Sequence, residues 1–272
     1  RSGVGKSYLQ EMIADFTPEE DLIQLTRLTG QALFHKDENG LMYKLLTIEE
    51  SESMENALYG VRTLLSSQQL RTCFTVQDPS NGDMKSIEKL VNGNVSIMLT
   101  TTDLSRIDFE TANRFLIIHL DESPEQTRQI IEYQEKLSSI EGLKIRKRRE
   151  QVSRLMKNIQ RVLKPVDIVN NIGTCITLPV HVLNMRREIS KVDSLIKTIA
   201  LLNQYQRPLQ EEKIYGIKNH YIEVEQSDID TAKELSRVSL SHSLDELSPL
   251  SRQLLGAFPI FCKKCKKYLT SS

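Results

Sequence analysis

Apolar residues come in short runs over the first 122 residues and settle into a helical period from Ser123 onward. Tyr8 to Ala14 reads as a helix after a glycine-containing turn. Thr17-Pro18-Glu19-Glu20 is a helix-start signal, yet Leu22, Ile23, Leu25 and Leu28 fit a strand as well as a helix. Residues 41–48 read as a buried strand ending at Glu49-Glu50, and residues 54–65 as a helix. Residues 70–76 and 86–91 flank the turn-forming run Pro79-Ser80-Asn81-Gly82-Asp83 and predict a β-hairpin. Residues 95–99 form a second buried strand, ending in Thr100-Thr101-Thr102, and residues 115–120 a third. Ser123-Pro124-Glu125-Gln126 is a capping box that opens a long helical stretch toward Leu163. Residues 192–205 and 227–240 read as further helices, and Ser248-Pro249 begins a last one. Strands alternating with helices, then helices alone, predict an α/β core over 1–122, an all-helical region over 123–247 and a short tail over 248–272.

Composition narrows the class without choosing a partner. Lys+Arg and Asp+Glu balance at 36 each, and 39% of residues are apolar, as in ordinary globular proteins. No apolar run is long enough to span a membrane as a helix. Cys73, Cys175, Cys262 and Cys265 make no disulfide framework for a chain of 272 residues, so a reducing cytoplasm is the natural setting.

The chemistry gathers around four short strings. Arg1-Ser2-Gly3-Val4-Gly5-Lys6-Ser7 is the second half of the phosphate-loop pattern Gly-x-x-x-x-Gly-Lys-Ser/Thr. Its first glycine would stand before Arg1, so the chain reads as truncated within the loop. Backbone amides around Gly3, Val4 and Gly5 wrap phosphate oxygens, Lys6 reaches the β- and γ-phosphates, and the Ser7 hydroxyl binds Mg²⁺. The helix entered at Tyr8 presents its positive end to the same anion, and Tyr8 is counted with the nucleotide-contacting residues. Glu49 and Glu50 stand where open parallel sheets bind ligands. Glu49 fits the Mg²⁺ shell, although Asp is usual there, and Glu50 fits the group that deprotonates the attacking water. Thr101 or Thr102 would touch both the γ-phosphate and that water. Arg114, in Asn113-Arg114-Phe115, has the fork-shaped, permanently charged head suited to an arginine finger. Each string also has a plain structural reading: a surface turn, solvated strand ends, threonines favoured by β-structure, and a surface arginine.

Taken together and in order, these strings resemble an AAA+ ATPase, a P-loop NTPase with a three-layer parallel-sheet core. More narrowly they resemble the MCM-type helicase branch and the ATPase module of primase-associated replication proteins from bacterial mobile elements. The resemblance covers about residues 1–210. It implies a homo-oligomeric ring, a hexamer, hydrolysing ATP with Mg²⁺ at subunit interfaces while acting on DNA in replication. It implies single-stranded DNA in a central channel, and a primase or zinc-finger domain upstream. Lys6, Ser7, Glu49, Glu50 and Thr101 or Thr102 would come from one subunit and Arg114 from its neighbour. A sensor arginine is expected in the helical lid, with Arg186 and Arg187 the nearest candidates. The hairpin carries Lys85 and Lys89 toward DNA and has no aromatic residue at its turn. An AAA+ protein-remodelling ATPase, whose pore loop is usually aromatic and apolar, is the rival reading. An inactive nucleotide-binding relic is the third, and the incomplete loop leads us to expect weak or absent hydrolysis.

Two features tempt further. Nine basic residues lie between Lys144 and Lys164, including Arg149, Arg154, Lys157 and Arg161, opposed within the run only by Glu150. They read as a solvated face balanced by Glu132, Glu135 and Glu141, or as a nucleic-acid surface lacking aromatic residues for stacking. Cys262-Lys263-Lys264-Cys265 is half of a zinc-ribbon pattern without a second close pair, and reads as a degraded or truncated terminus. Residues 249–258 resemble the first helix of a winged-helix domain.

Overall fold

The computed structural model describes residues 5–49, 55–77, 84–104, 107–174 and 185–243. The chain divides into two compact units, Arg1–Pro165 and Val166–Ser272.

Three short parallel strands organise the first unit: β1 (Leu22–Leu25), β2 (Leu45–Ile48) and, after a hairpin, β5 (Ser96–Leu99), in the order β1-β2-β5. Leu46 of β2 lies opposite Ile23 on one side and Ile97 on the other. As the central strand, β2 is covered on both faces, with Leu46 and Ile48 at 0% exposure and Thr47 at 2%. That is why it reads as an unbroken run instead of an alternation. Helix α1 (Lys6–Phe16) precedes the sheet. Thr17 does not start a second helix: its hydroxyl turns back to the Ile13 carbonyl at 3.1 Å. Only a single 3-10 turn (Glu19–Asp21) follows, and the ambiguous apolar run becomes β1. The strand expected over 41–48 is shorter, because Tyr43 takes a positive φ of 57° and turns the chain before β2.

Helix α2 (Glu55–Ser67) covers the sheet with Ala57, Leu58, Val61 and Leu64, which pack with Leu33, Leu41, Leu46, Ile48, Leu70 and Val91. Their i, i+1, i+4, i+7 spacing keeps them on one helix face. The predicted hairpin is present as β3 (Gln69–Gln77) and β4 (Met84–Asn92), paired from Gln69–Asn92 to Gln77–Met84, its turn lying outside the described residues. At its base a Cβ on Gly93 would stand 2.3 Å from Leu64 Cδ2, so only glycine allows that approach.

Residues 115–120 correct the expectation of a third buried strand. They form no strand, and β5 has no sheet partner besides β2 among the described residues. An apolar run becomes a strand only where a neighbour takes up its amides and carbonyls. The short α3 (Phe109–Ala112) is capped by Asp108, which accepts from Thr111 N at 2.9 Å; the Thr111 hydrogen bonds hold the Asp108 carboxyl below its ordinary range. The predicted capping box works as expected, Ser123 Oγ accepting from Gln126 N at 3.1 Å at the start of α4 (Pro124–Leu137). The long helical stretch is two helices, because Ser139 caps a new one, α5 (Ile140–Val162). Both belong to the first compact unit, whereas the change in pattern stands at Ser123.

The region from 123 to 247 is not all helical. The second unit holds β6 (Asp167–Val169), α6 (Met185–Leu202), β7 (Gln210–Ile214), β8 (Ile217–Glu223) and α7 (Gln226–Ser243). Strand β8 is central, parallel to β6 and antiparallel to β7. The overlooked signal is Tyr215-Gly216, a two-residue turn with φ of 51° and 85° joining β7 to β8. Val192, Ile196 and Ala200 of α6 pack with Val224, Ile229 and Ala232. Beside this core the Arg207 guanidinium, 4% exposed, pairs at 2.6 Å with the Asp228 carboxylate, 1% exposed, and donates to the Glu223 carbonyl at 2.9 Å. Asp228 also accepts from Glu225 N at 3.0 Å. Removing one partner strands a buried charge, so Arg207→Ala is expected to destabilise this unit by about 3–5 kcal/mol. Hydrogen exchange of the α7 amides measures it, and the double replacement Arg207→Met with Asp228→Leu is expected to cost much less. Equal losses in the two variants would show that the pair is not what holds α7.

Candidate active site

The amino end of α1 is fixed at the carboxyl ends of β2 and β5. The anchor is Gln10, 3% exposed, whose side-chain amide donates to the Ile48 and Met98 carbonyls, each at 3.1 Å. Lys6 stands one helical turn earlier on the same face. It is half-buried, and it lines a groove together with Leu99, Thr100 and Thr101. Gly5, just before it, has φ 90° and ψ 14°, a left-handed conformation that favours glycine although a Cβ would meet nothing there. No acidic residue lies in the first turn of α1. The positive end of the helix thus meets no carboxylate from that turn, which suits an anion. Ser7 and Tyr8 are exposed in the same turn, while Gly3 and Val4 lie outside the described residues.

Glu49 follows the last residue of β2 and is exposed, with its amide donating to the Leu25 carbonyl at 3.1 Å. Glu50 lies outside the described residues. The Thr100 hydroxyl donates to the Glu49 carbonyl and so ties the end of β2 to the end of β5. Thr101 is half-buried, and its hydroxyl forms a local turn with Asp103, donating to the carbonyl at 2.9 Å and accepting from the amide at 3.1 Å. Thr102 is exposed. The fold thus gathers Gly5, Lys6, Ser7, Glu49, Thr101 and Thr102 at one end of a parallel sheet.

Gln10 and Thr100 were not among the predicted site residues. The signal for Gln10 is a polar residue one turn before Ala14, on the face of α1 that packs inward. For Thr100 the sequence offers only one hydroxyl in a row of three.

The remaining candidates have other surroundings. Arg114 is 18% exposed, and all three of its guanidinium nitrogens have acceptors within the chain: Ser66 Oγ at 2.8 Å, the Glu110 carbonyl at 2.7 Å and Glu110 Oε1 at 3.1 Å. Arg62 bonds the other Glu110 oxygen at 3.0 Å. Arg187 lies exposed in the first turn of α6, which begins at Met185, earlier than the period indicates. Lys85 and Lys89 share one face of β4. Lys85 is exposed, and Lys89 Nζ donates to the His35 carbonyl at 2.9 Å.

The basic run resolves into neither of its two readings alone. Arg149 pairs with Asp15 at 2.6 Å, Lys157 with Glu19 at 2.6 Å and Arg161 with Glu20 at 2.6 Å, so one face of α5 docks on α1 and the turn after it. The Arg149 guanidinium also lies 5.7 Å over the Tyr8 ring, engaging a residue assigned to nucleotide contact. Lys144, Arg146, Lys147, Arg148 and Arg154 are exposed. Cys73 is a free, exposed thiol, and Cys175, Cys262 and Cys265 lie outside the described residues. Among the described residues no three His, Cys, Asp or Glu side chains gather into a metal-binding group, and no helix is long and apolar enough to cross a membrane.

Set against known proteins, the chain matches no family model and no curated protein sequence.

The docking of α5 has a pH signature. Hydrogen bonding from Arg161 holds the Glu20 carboxyl at about 2, below its ordinary 4.5. A carboxylate with a lowered folded value contributes fully above its ordinary value, and that contribution fades as pH falls toward the folded one. The α5–Glu20 contact is thus expected to weaken between about pH 4.5 and pH 2. An NMR titration of Glu20 checks this: its midpoint returns toward the ordinary value in Arg161→Ala, and an unchanged midpoint would remove Arg161 as the cause.

Proposed function

We propose that this chain is the motor part of an ATP-hydrolysing ring that acts on DNA in replication, an AAA+ module of the MCM-like kind. The observation that supports the reading best is the placement of Lys6 and the positive end of α1 over the carboxyl ends of β2 and β5, beside Glu49 and Thr101. A cation, a carboxylate and a hydroxyl around a helix start that lacks acidic residues suit a nucleoside triphosphate better than a neutral ligand. The choice of DNA as the substrate comes from the sequence resemblance.

In this reading Gly3, Val4 and Gly5 turn their amides to the phosphates, and Lys6 neutralises the β- and γ-phosphate oxygens. Ser7 and Glu49 are the groups that would hold Mg²⁺, which when bound offsets phosphate charge. Glu50 takes the proton of the attacking water, and Thr101 or Thr102 orients that water. The role of γ-phosphate sensor is assigned to Arg187 by the sequence resemblance alone. Arg114 acts as a finger on the neighbouring subunit, exchanging its Ser66 and Glu110 acceptors for phosphate oxygens. Lys85 is the hairpin residue assigned to the DNA backbone, and Lys89 joins it on release from the His35 carbonyl.

Two steps separate under mutation. Lys6→Ala is expected to weaken binding of a fluorescent ATP analogue at least tenfold. Glu50→Gln is expected to keep binding and lower turnover by roughly 100-fold or more, the size of a lost general base. Single-stranded DNA is expected to raise the weak turnover of the parent chain. Binding indifferent to Lys6→Ala would overturn the nucleotide site. Turnover indifferent to DNA would move the proposal to protein remodelling, and binding without turnover would leave a nucleotide-binding relic.

A further inference from the structure

The face of α5 that turns away from α1 carries a narrow apolar stripe. Val152, Leu155, Ile159 and Val162 follow one another at intervals of three, four and three residues. At about 100° per residue they fall within an arc of about 80°. They are 41%, 59%, 38% and 55% exposed. The residues that dock on α1 and the turn after it, Arg149, Ser153, Lys157, Gln160 and Arg161, lie on the opposite side of the helix. The spacing is that of a seam between two helices, with β-branched residues at alternate positions and Leu155 between two of them. An apolar face that packs on a core is wider.

Charge decides what fits the seam. Toward the amino end the same line of the helix is continued by Arg148 and Lys144, both exposed. Lys147 and Arg154 border it on one flank and Met156 on the other, all exposed. The nearest acids are Glu141, which pairs with Lys136 at 2.8 Å, and Glu150, on the far side of the helix. A second copy laid along the seam in parallel would set Arg148 against Arg148. Laid antiparallel about Leu155, it would face Arg148 with Val162. Neither arrangement brings a carboxylate to the cations. Nucleic acid would suit Arg148 and Lys144 but leave the four apolar side chains wet. The stripe holds no aromatic residue and is too narrow to lie well in a lipid surface.

We infer that this stripe is the docking site of a partner's amphipathic helix, acidic in its first two turns and apolar along one line in the three turns that follow. Running parallel to α5, that helix sets its carboxylates against Lys144 and Arg148, where its own positive end favours them. Its Leu or Ile side chains then meet Val152, Leu155, Ile159 and Val162 and remove apolar surface from water. Docking on this side leaves the contacts of Arg149, Lys157 and Arg161 in place, so the partner and α1 hold α5 at once.

The test uses the full chain and needs neither nucleotide nor DNA, so it stands apart from the proposed activity. The probe is a fluorescein-labelled helical peptide of about 20 residues, with Glu in its first two turns and Leu or Ile at the matching intervals after them. A second probe carries Lys in place of each Glu. Fluorescence anisotropy is expected to show the acidic probe binding roughly tenfold or more tightly than the basic one. Leu155→Gln with Ile159→Gln, both at exposed positions, is expected to weaken the acidic probe roughly tenfold while leaving the melting temperature of the chain in place. Lys144→Glu with Arg148→Glu is expected to exchange the preference for the two probes. Equal binding of both probes, or binding of neither, would overturn the proposal. So would capture of the chain by phosphatidylserine vesicles that is lost in the Leu155→Gln, Ile159→Gln variant, since the stripe would then meet a membrane. Self-association lost in that variant would overturn it too, since the stripe would then meet a second copy.

Discussion

One buried side-chain amide sets the geometry on which the rest of the first unit depends. Gln10 bonds two backbone carbonyls at the ends of two different strands. Each of those carbonyls sits beside chemistry: Ile48 precedes Glu49, and Met98 lies two residues before Thr100. A helix held only by apolar packing can slide or rotate by a fraction of a turn. A helix held by directional bonds to two strand ends cannot do so without leaving buried polar groups unpaired. The amino end of α1 is therefore registered against the sheet, and Lys6 with it. The Thr100 hydroxyl on the Glu49 carbonyl extends the same tie across the sheet.

Much of this was legible in the sequence where a local rule operates. Ser123 followed by Pro124 and Gln126 specified a cap, and the cap is there. The turn-rich run around Gly82 separated two strands of one hairpin. Strands β2 and β5 announced themselves as apolar runs, although β5 is only half-buried where β2 is buried throughout its last three residues. Local rules failed where a partner decides the outcome. Residues 115–120 have strand composition and, among the described residues, pair with no strand. Leu22 to Leu28 had no decisive period, and the choice was made by Thr17 closing back on α1. In β7 and β8 the lysines, glutamates and Asn219 hid short strands whose clearest mark was the turn at Gly216.

The site was legible by residue type and less so by surroundings. Glycine, lysine and hydroxyl spacing found the helix start, and the acidic pair found the strand end. What a charge is doing depends on acceptors far away in the chain, and spacing carries no trace of them. Ser66 lies 48 residues before the arginine it binds, and the His35 carbonyl lies 54 before Lys89. The docking partners of the basic run were hidden in the same way, because Asp15, Glu19 and Glu20 lie at the end of α1 and just after it, more than 130 residues upstream.

Helix α5 reverses the usual order of a packed helix. Its charged face, with Arg149, Lys157 and Arg161, is the one that docks, while Val152, Leu155, Ile159 and Val162 are 38–59% exposed. Attraction between partly hydrated charges is shallow, and added salt screens it. Apolar contacts of the same extent would be deeper and indifferent to salt. The α4–α5 arm is thus latched instead of welded, and ionic strength sets the tightness of the latch. Because Arg149 also rests on Tyr8 in the first turn of α1, loosening the arm uncovers a ring at the mouth of the site.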